Sequence, residues 1–202
     1  MTQEQLKRTL MPLGHYHKEE IREIAHRLNL PVADKADSQE ICFVPDDDYG
    51  RFIENYDDAR TETGLFTDQR GQPIGTHKGI IHYTIGQRKG LGLAMGTPVY
   101  VTDILPETRE VRIGSQEELL AGELLADDVN FIPYEALPPD TRVTVKIRYN
   151  APAVPGTASL TDDGSLWVRF DEPQKAITPG QSVVLYDNDI VIGGGVIRQR
   201  IK

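Results

Sequence analysis

The chain has 202 residues, 22 Lys and Arg against 31 Asp and Glu for a net charge of −9, 39% hydrophobic residues, one Cys and one Trp. That length allows one large domain or two to three small ones, each with its own core, and the composition excludes a wholly disordered chain. A single cysteine excludes an internal disulfide scaffold and a Cys-based zinc ribbon, no run approaches the roughly 18–20 apolar residues of a membrane span, and Met1-Thr2-Gln3-Glu4 lacks the regions of a signal peptide, so a cytoplasmic protein is expected.

The first 60 residues read as helical. Within residues 17–29, Ile21, Ile24, Ala25 and Leu28 recur at i, i+3, i+4 and i+7, with Glu19 and Glu20 in the first turn and Pro31 beyond the end, a pattern that predicts an amphipathic helix. A further helix is expected up to residue 56 on Tyr49, Phe52, Ile53 and Tyr56, capped by Asp46 or Asp47. From Gly64 the period drops from 3.6 to 2. Strands are predicted over residues 65–67 and 72–74 around the turn Asp68-Gln69-Arg70-Gly71, and over 99–102 and 110–113 around Pro106-Glu107-Thr108. After a joint at residues 114–116 and the stretch 119–125 come strands over 142–149, 166–170, 183–186 and 190–192. Short strands with frequent turns point to a small barrel or roll, closed so that no edge is left exposed.

Charge is unevenly spread. Residues 1–60 hold 8 cations and 13 acids, residues 61–118 hold 6 and 7, and residues 119–202 hold 8 and 11, but two windows carry no carboxylate at all. Residues 69–102 contain Arg70, Lys78, Arg88 and Lys89 with His77 and His82, and residues 141–161 contain Arg142, Lys146 and Arg148. Such patches attract a polyanion despite acids elsewhere, because screening acts within about 8 Å at physiological salt. Alternation along 142–149 places Val143, Val145, Ile147 and Tyr149 on one face and Arg142, Thr144, Lys146 and Arg148 on the other, a cation ladder stepped at about 6–7 Å, close to the spacing of RNA phosphates.

Cys42 lies in Asp37-Ser38-Gln39-Glu40-Ile41-Cys42-Phe43-Val44. It reads either as a reactive thiol or as a small apolar side chain in a half-buried strand between Ile41 and Phe43. Nothing local fixes a triad of Cys42 with His77 or His82, and His15, His17, His26, His77 and His82 show no ligand spacing, so no metal site is expected. The glycines and cations of residues 75–92 suit a loop that approaches phosphate closely, yet neither GxGxxG nor GxxxxGK[ST] occurs, and any ATP site must lie outside this chain or be of another type.

The Cys42 segment, residues 76–92, Arg148-Tyr149, Thr178-Pro179-Gly180-Gln181 and Gly193-Gly194-Gly195, in this order and spacing, resemble the bacterial tRNA-specific 2-thiouridylase family, MnmA, over essentially the whole chain. The likeness is to the C-terminal part of that family's proteins. It implies a mainly β fold with an N-terminal helical segment: residues 1–60 as a remnant of, and linker from, an ATP-pyrophosphatase domain, 61–118 as a central β-roll and 119–202 as a C-terminal β-barrel. It also implies that ATP adenylates the C2 oxygen of the wobble uridine of tRNA and that a persulfide on Cys42 delivers sulfur as AMP leaves. A second cysteine, pairing with Cys42 during turnover, would sit in the ATP-pyrophosphatase domain, itself expected to be missing here. Arg148, Tyr149 and Gln181 match tRNA-contacting positions, with Arg142, Lys146, Lys78, Arg88 and Lys89 as further candidate contacts. The implied partners are tRNA, a sulfur-donor protein and the absent domain, with no membrane, and the chain alone is expected to lack thiolation activity. The alternative is a non-catalytic RNA-binding β-barrel module with a structural cysteine.

Overall fold

Polar caps set the helices of the N-terminal unit. The computed structural model describes residues 1–35, 44, 48–56 and 62–202, which divide into two units, Met1–Phe52 and Ile53–Lys202. In the first, α1 (Gln3–Lys7) opens on a reciprocal cap in which the Gln5 amide N–H donates to Thr2 Oγ1 at 3.2 Å and the Thr2 N–H donates to Gln5 Oε1 at 2.8 Å. Helix α2 (Lys18–Arg27) matches the expected amphipathic helix, and Glu20 Oε2 accepts the His17 N–H at 2.6 Å at its start. Its apolar stripe is not enclosed, for Ile21, Ile24 and Ala25 are half-buried and Leu28 is exposed. Helix α3 (Tyr49–Tyr56) is capped by Asp48, whose Oδ1 accepts the Arg51 N–H at 3.0 Å. Asp46 and Asp47, the expected caps, lie outside the described residues.

A four-stranded sheet follows, made of β1 (Gly64–Thr67), β2 (Pro73–His77), β3 (Tyr100–Leu105) and β4 (Glu110–Gly114) in the order β2-β1-β4-β3. Both expected hairpins are present, and β1 and β4 join them in parallel. In the first turn Asp68 Oδ1 accepts the N–H groups of Arg70 and Gln72, each at 2.8 Å. Phe66, Val101, Val111 and Ile113 form the core with Leu91 from the following loop. The rings of Phe66, His77 and Tyr83 meet edge to face with centroids 5.2–5.3 Å apart. His77 is buried with both ring nitrogens spent: Nδ1 accepts the Gly79 N–H at 3.1 Å, which leaves Nε2–H to donate to the Arg109 carbonyl at 3.1 Å.

The remaining strands, β5 (Leu120–Phe131), β6 (Thr141–Lys146), β7 (Val154–Leu160), β8 (Leu166–Lys175), β9 (Ser182–Asp187) and β10 (Ile190–Ile201), close into an antiparallel barrel in the order β10-β5-β8-β7-β6-β9. The mainly β class and the barrel stand as expected. Several strands differ from the sequence reading. Bulges at Ala121/Glu123 break the two-residue period of β5, so it escaped notice, and Pro155 and Gly156 gave β7 the look of a loop. Strand β8 runs on to Lys175, and β10 continues through Gly193-Gly194-Gly195 to Ile201. There β10 pairs with β5 and β9 at once, and a Cβ on Gly194 would lie 2.0 Å from the Val183 carbonyl oxygen. Strand β6 stops at Lys146, three residues short of the expected end.

One side chain ties sheet to barrel. Arg200, near the end of β10, is only 7% exposed; one guanidinium nitrogen donates to both Asp103 carboxylate oxygens and to the Thr102 carbonyl on β3, each at 2.8 Å. Loop and barrel also touch where a Cβ on Gly86 would come within 3.1 Å of the Ala176 Cβ.

Two outcomes test this packing. Gly194→Ala should destabilise the protein by roughly 2–3 kcal/mol in chemical denaturation, whereas Gly122→Ala, where an added Cβ meets nothing within 4 Å, should stay within about 0.5 kcal/mol. Burial pushes the pKa of His77 down from its ordinary 6.5, so the unfolded chain takes up this proton first on acidification. Stability should therefore be complete above about pH 6.5 and fall as the pH drops below it, and His77→Gln should flatten that slope in melting curves between pH 7 and 5.

Candidate functional site

The end of β6 and the start of β9 build a cleft of about 430 Å³ on the barrel wall, lined by Lys146, Arg148, Tyr149, Gln181, Ser182, Val184 and Tyr186. Register explains the grouping. Lys146 pairs with Val184, and the alternation of β9 turns Ser182, Val184 and Tyr186 away from the core while Val183 and Leu185 are buried. Gln181 is placed by the turn before β9. The Gly180 N–H donates to the Ile197 carbonyl and the Ile197 N–H donates to the Gln181 carbonyl, each at 2.8 Å, with Ile197 itself buried. Gly180 supplies the left-handed conformation, φ 84°, that this turn requires.

Because β6 ends at Lys146, the ladder read from the sequence does not form. Ile147 still points inward, but Arg148 and Tyr149 lie in the turn beyond the strand, where the Ala151 N–H donates to the Arg148 carbonyl at 3.2 Å. Tyr149 therefore does not share the core face of Val143, Val145 and Ile147; it is 92% exposed. Arg142 leaves the set as well. Its guanidinium grips Asp171 through two bonds of 2.7 Å and donates to Thr157 Oγ1, which raises its own pKa and holds the Asp171 carboxyl below the usual carboxylate range. What remains is Lys146, Arg148, Tyr149 and Gln181 around one cleft whose described lining contains no carboxylate. Two cations, an amide and an exposed aromatic face are a set suited to phosphate contact and base stacking. Ser182 and Tyr186 were not singled out from the sequence, although the alternation of β9 carried the signal.

The other candidates lie elsewhere. Lys78 follows β2 and is exposed; Arg88 and Lys89 are held outward by a loop in which Gln87 Oε1 accepts the Thr84 N–H and Gln87 Nε2 donates to the Lys89 carbonyl, each at 3.0 Å. All three belong to the loops of the central sheet and not to the lining of the barrel cleft. Cys42 lies outside the described residues. His77 is occupied as above and His82 Nε2 faces Glu54 Oε1 at 3.4 Å. Among the described residues no cluster of three metal-ligating side chains occurs, and no helix is long and apolar enough to cross a membrane.

Residues 121–197 match the family described as the aminomethyltransferase beta-barrel domain, residues 50–115 the tRNA methyl transferase PRC-barrel domain, and residues 1–46 the tRNA methyl transferase HUP domain. Several of the curated relatives are named tRNA-specific 2-thiouridylase MnmA. That of Clostridium acetobutylicum is 52% identical over 198 residues, 98% of this chain and 56% of its own length; that of Acetivibrio thermocellus is 52% identical over 198 residues, with 55% of its own length covered. A third, tRNA-specific 2-thiouridylase MnmA 1 of a Thermoanaerobacter species, is 52% identical over all 202 residues. The chain thus spans a little over half the length of the curated relatives it matches. With three successive domain matches and relatives at this identity along its whole length, the chain belongs to the MnmA family, whose curated members carry the name tRNA-specific 2-thiouridylase.

Proposed function

We propose that the chain is the sulfur-accepting and tRNA-holding part of a tRNA 2-thiouridylase. The observation that carries this reading is the convergence of Lys146, Arg148, Tyr149 and Gln181 on one acid-free cleft of the barrel. In this role Arg148 and Lys146 neutralise phosphates, Tyr149 offers its face to an unstacked base, and Gln181 donates or accepts at a base edge or ribose. Lys78, Arg88 and Lys89 extend the contact along the central sheet.

Chemistry in this reading belongs to Cys42. The outer sulfur of its persulfide bonds to C2 of the uridine as the bond from C2 to the adenylated oxygen breaks and AMP departs; the thiolate of the second cysteine, in the ATP-pyrophosphatase portion, then attacks the Cys42 sulfur, so that the S–S bond breaks, 2-thiouridine is released and a Cys–Cys disulfide is left for an external thiol to reduce before the next round. Activation by ATP falls to the ATP-pyrophosphatase portion of the fold, since this chain carries no phosphate-binding loop motif. The exposed apolar residues of the first unit, among them Leu10, Met11, Leu28 and Leu30, fit a segment that packs onto that larger body. A sulfur-donor protein is the partner that reloads Cys42.

Titration of tRNA across a salt series tests the cleft. Arg148→Ala should weaken binding and lower the slope of log K against log salt by about 0.9, Tyr149→Ala should cost about 1–3 kcal/mol of affinity, and Arg142→Ala should change neither. Unaltered binding in Arg148→Ala would remove the cleft from the interface. For Cys42, rapid alkylation by iodoacetamide at neutral pH is expected of a poised thiol, and Cys42→Ser should abolish sulfur transfer in the complete enzyme while sparing tRNA affinity. A thiol that reacts only after unfolding would instead favour a non-catalytic RNA-binding module.

A further inference from the structure

The C-terminal end of β10 carries a cation at every second residue, Arg198, Arg200 and Lys202, and β4 presents Arg112 toward them. Together with Gln69, Asp103, Pro179 and Gln199 they line a second cleft, about 410 Å³, between the central sheet and the barrel. Its four cations are not equally engaged. Arg200 takes both oxygens of Asp103, and Arg198 faces Asp127 at 3.2 Å and Asp163 at 4.0 Å. Arg112 stands directly opposite Asp103 in the β3–β4 ladder, where that carboxylate is already held by Arg200. Its Nε is buried and has no hydrogen-bond partner among the described residues. That nitrogen is sealed from the cleft, but with Asp103 held by Arg200 the Arg112 side chain lines the cleft with no ion pair of its own among the described residues, a cation left to meet an anion that enters there. Lys202 stands exposed at the rim.

The two clefts flank one turn. Gln181 lines the first and Pro179 the second, so the Ile197-anchored turn between them separates two cationic seats by a few residues. Resting on the reading that the first cleft holds RNA, we propose that the second is a further seat for the RNA backbone, in which Arg112 and Lys202 neutralise phosphodiester groups. Because its walls come from both β3–β4 and β10, a strand lying there bridges the central sheet and the barrel.

The test uses the 202-residue chain and a tRNA transcript, followed by fluorescence anisotropy from 50 to 300 mM salt. Lys202→Gln should lower the slope of log K against log salt by about 0.7–0.9, Arg112→Gln combined with it should lower it by roughly twice that, and Arg112→Lys should restore most of the loss. Thermal melts identify any Arg112 variant that fails to fold, in which case Lys202→Gln, at an exposed site, decides alone. If these variants keep the wild-type slope while Arg148→Ala loses affinity, the second seat is refuted and the first stands. If the unaltered chain binds no tRNA, both fall.

Discussion

Closure of the barrel through β10 is the constraint on which the other features rest. This strand must bond to β5 on one side and β9 on the other, and the three successive glycines let both neighbours approach where any side chain would strike a carbonyl oxygen. Once that seam is made, the carbonyl and N–H of Ile197 fix the turn that carries Gln181, and β9 sets the facing positions around Lys146. The cleft beside Lys146 and Gln181 is thus a by-product of how the seam is registered. None of its side chains needs to be buried to be placed.

The same strand joins the two β modules. Arg200 emerges where β10 has left the glycine stretch, and its guanidinium reaches β3 with a geometry that leaves little freedom, since a nearly buried arginine facing a carboxylate and a carbonyl is bound to both or costs much. The sheet of residues 64–114 and the barrel of residues 120–201 are therefore linked at the point where cations accumulate. A polyanion placed there meets one continuous surface, not two independently moving ones.

Much of this was legible in the residues, and the failures have physical causes. The hairpins of the central sheet were readable because Asp68 and Gly71 are strong turn formers and the apolar residues alternate cleanly. Helix α2 was readable from its spacing. Strand β7 was not, since Pro155 and Gly156 normally argue against a strand interior; here Gly156 is required because a Cβ would fall 2.7 Å from the Arg169 carbonyl oxygen. The cation ladder failed for a different reason. Alternation was extrapolated past Lys146, and the sequence offers no sign that Asp171, 29 residues after Arg142, captures that guanidinium. Arg148 stands out from charge and alternation as well as resemblance, Tyr149 and Gln181 as contacts through resemblance alone, and only the fold puts the three beside one another.

The strand that completes the barrel is the last of the described strands in chain order, and its partner β5 precedes it by four intervening barrel strands. Such a topology has a high contact order, so closure is a late event with a large loop-entropy cost. During synthesis β5 and β9 emerge from the ribosome with open edges, able to add a strand from any neighbouring polypeptide until Ile190–Ile201 arrives. The glycine seam that makes the finished barrel possible also contributes little local preference for an extended chain, which leaves this interval to be shortened by the long-range ladder alone.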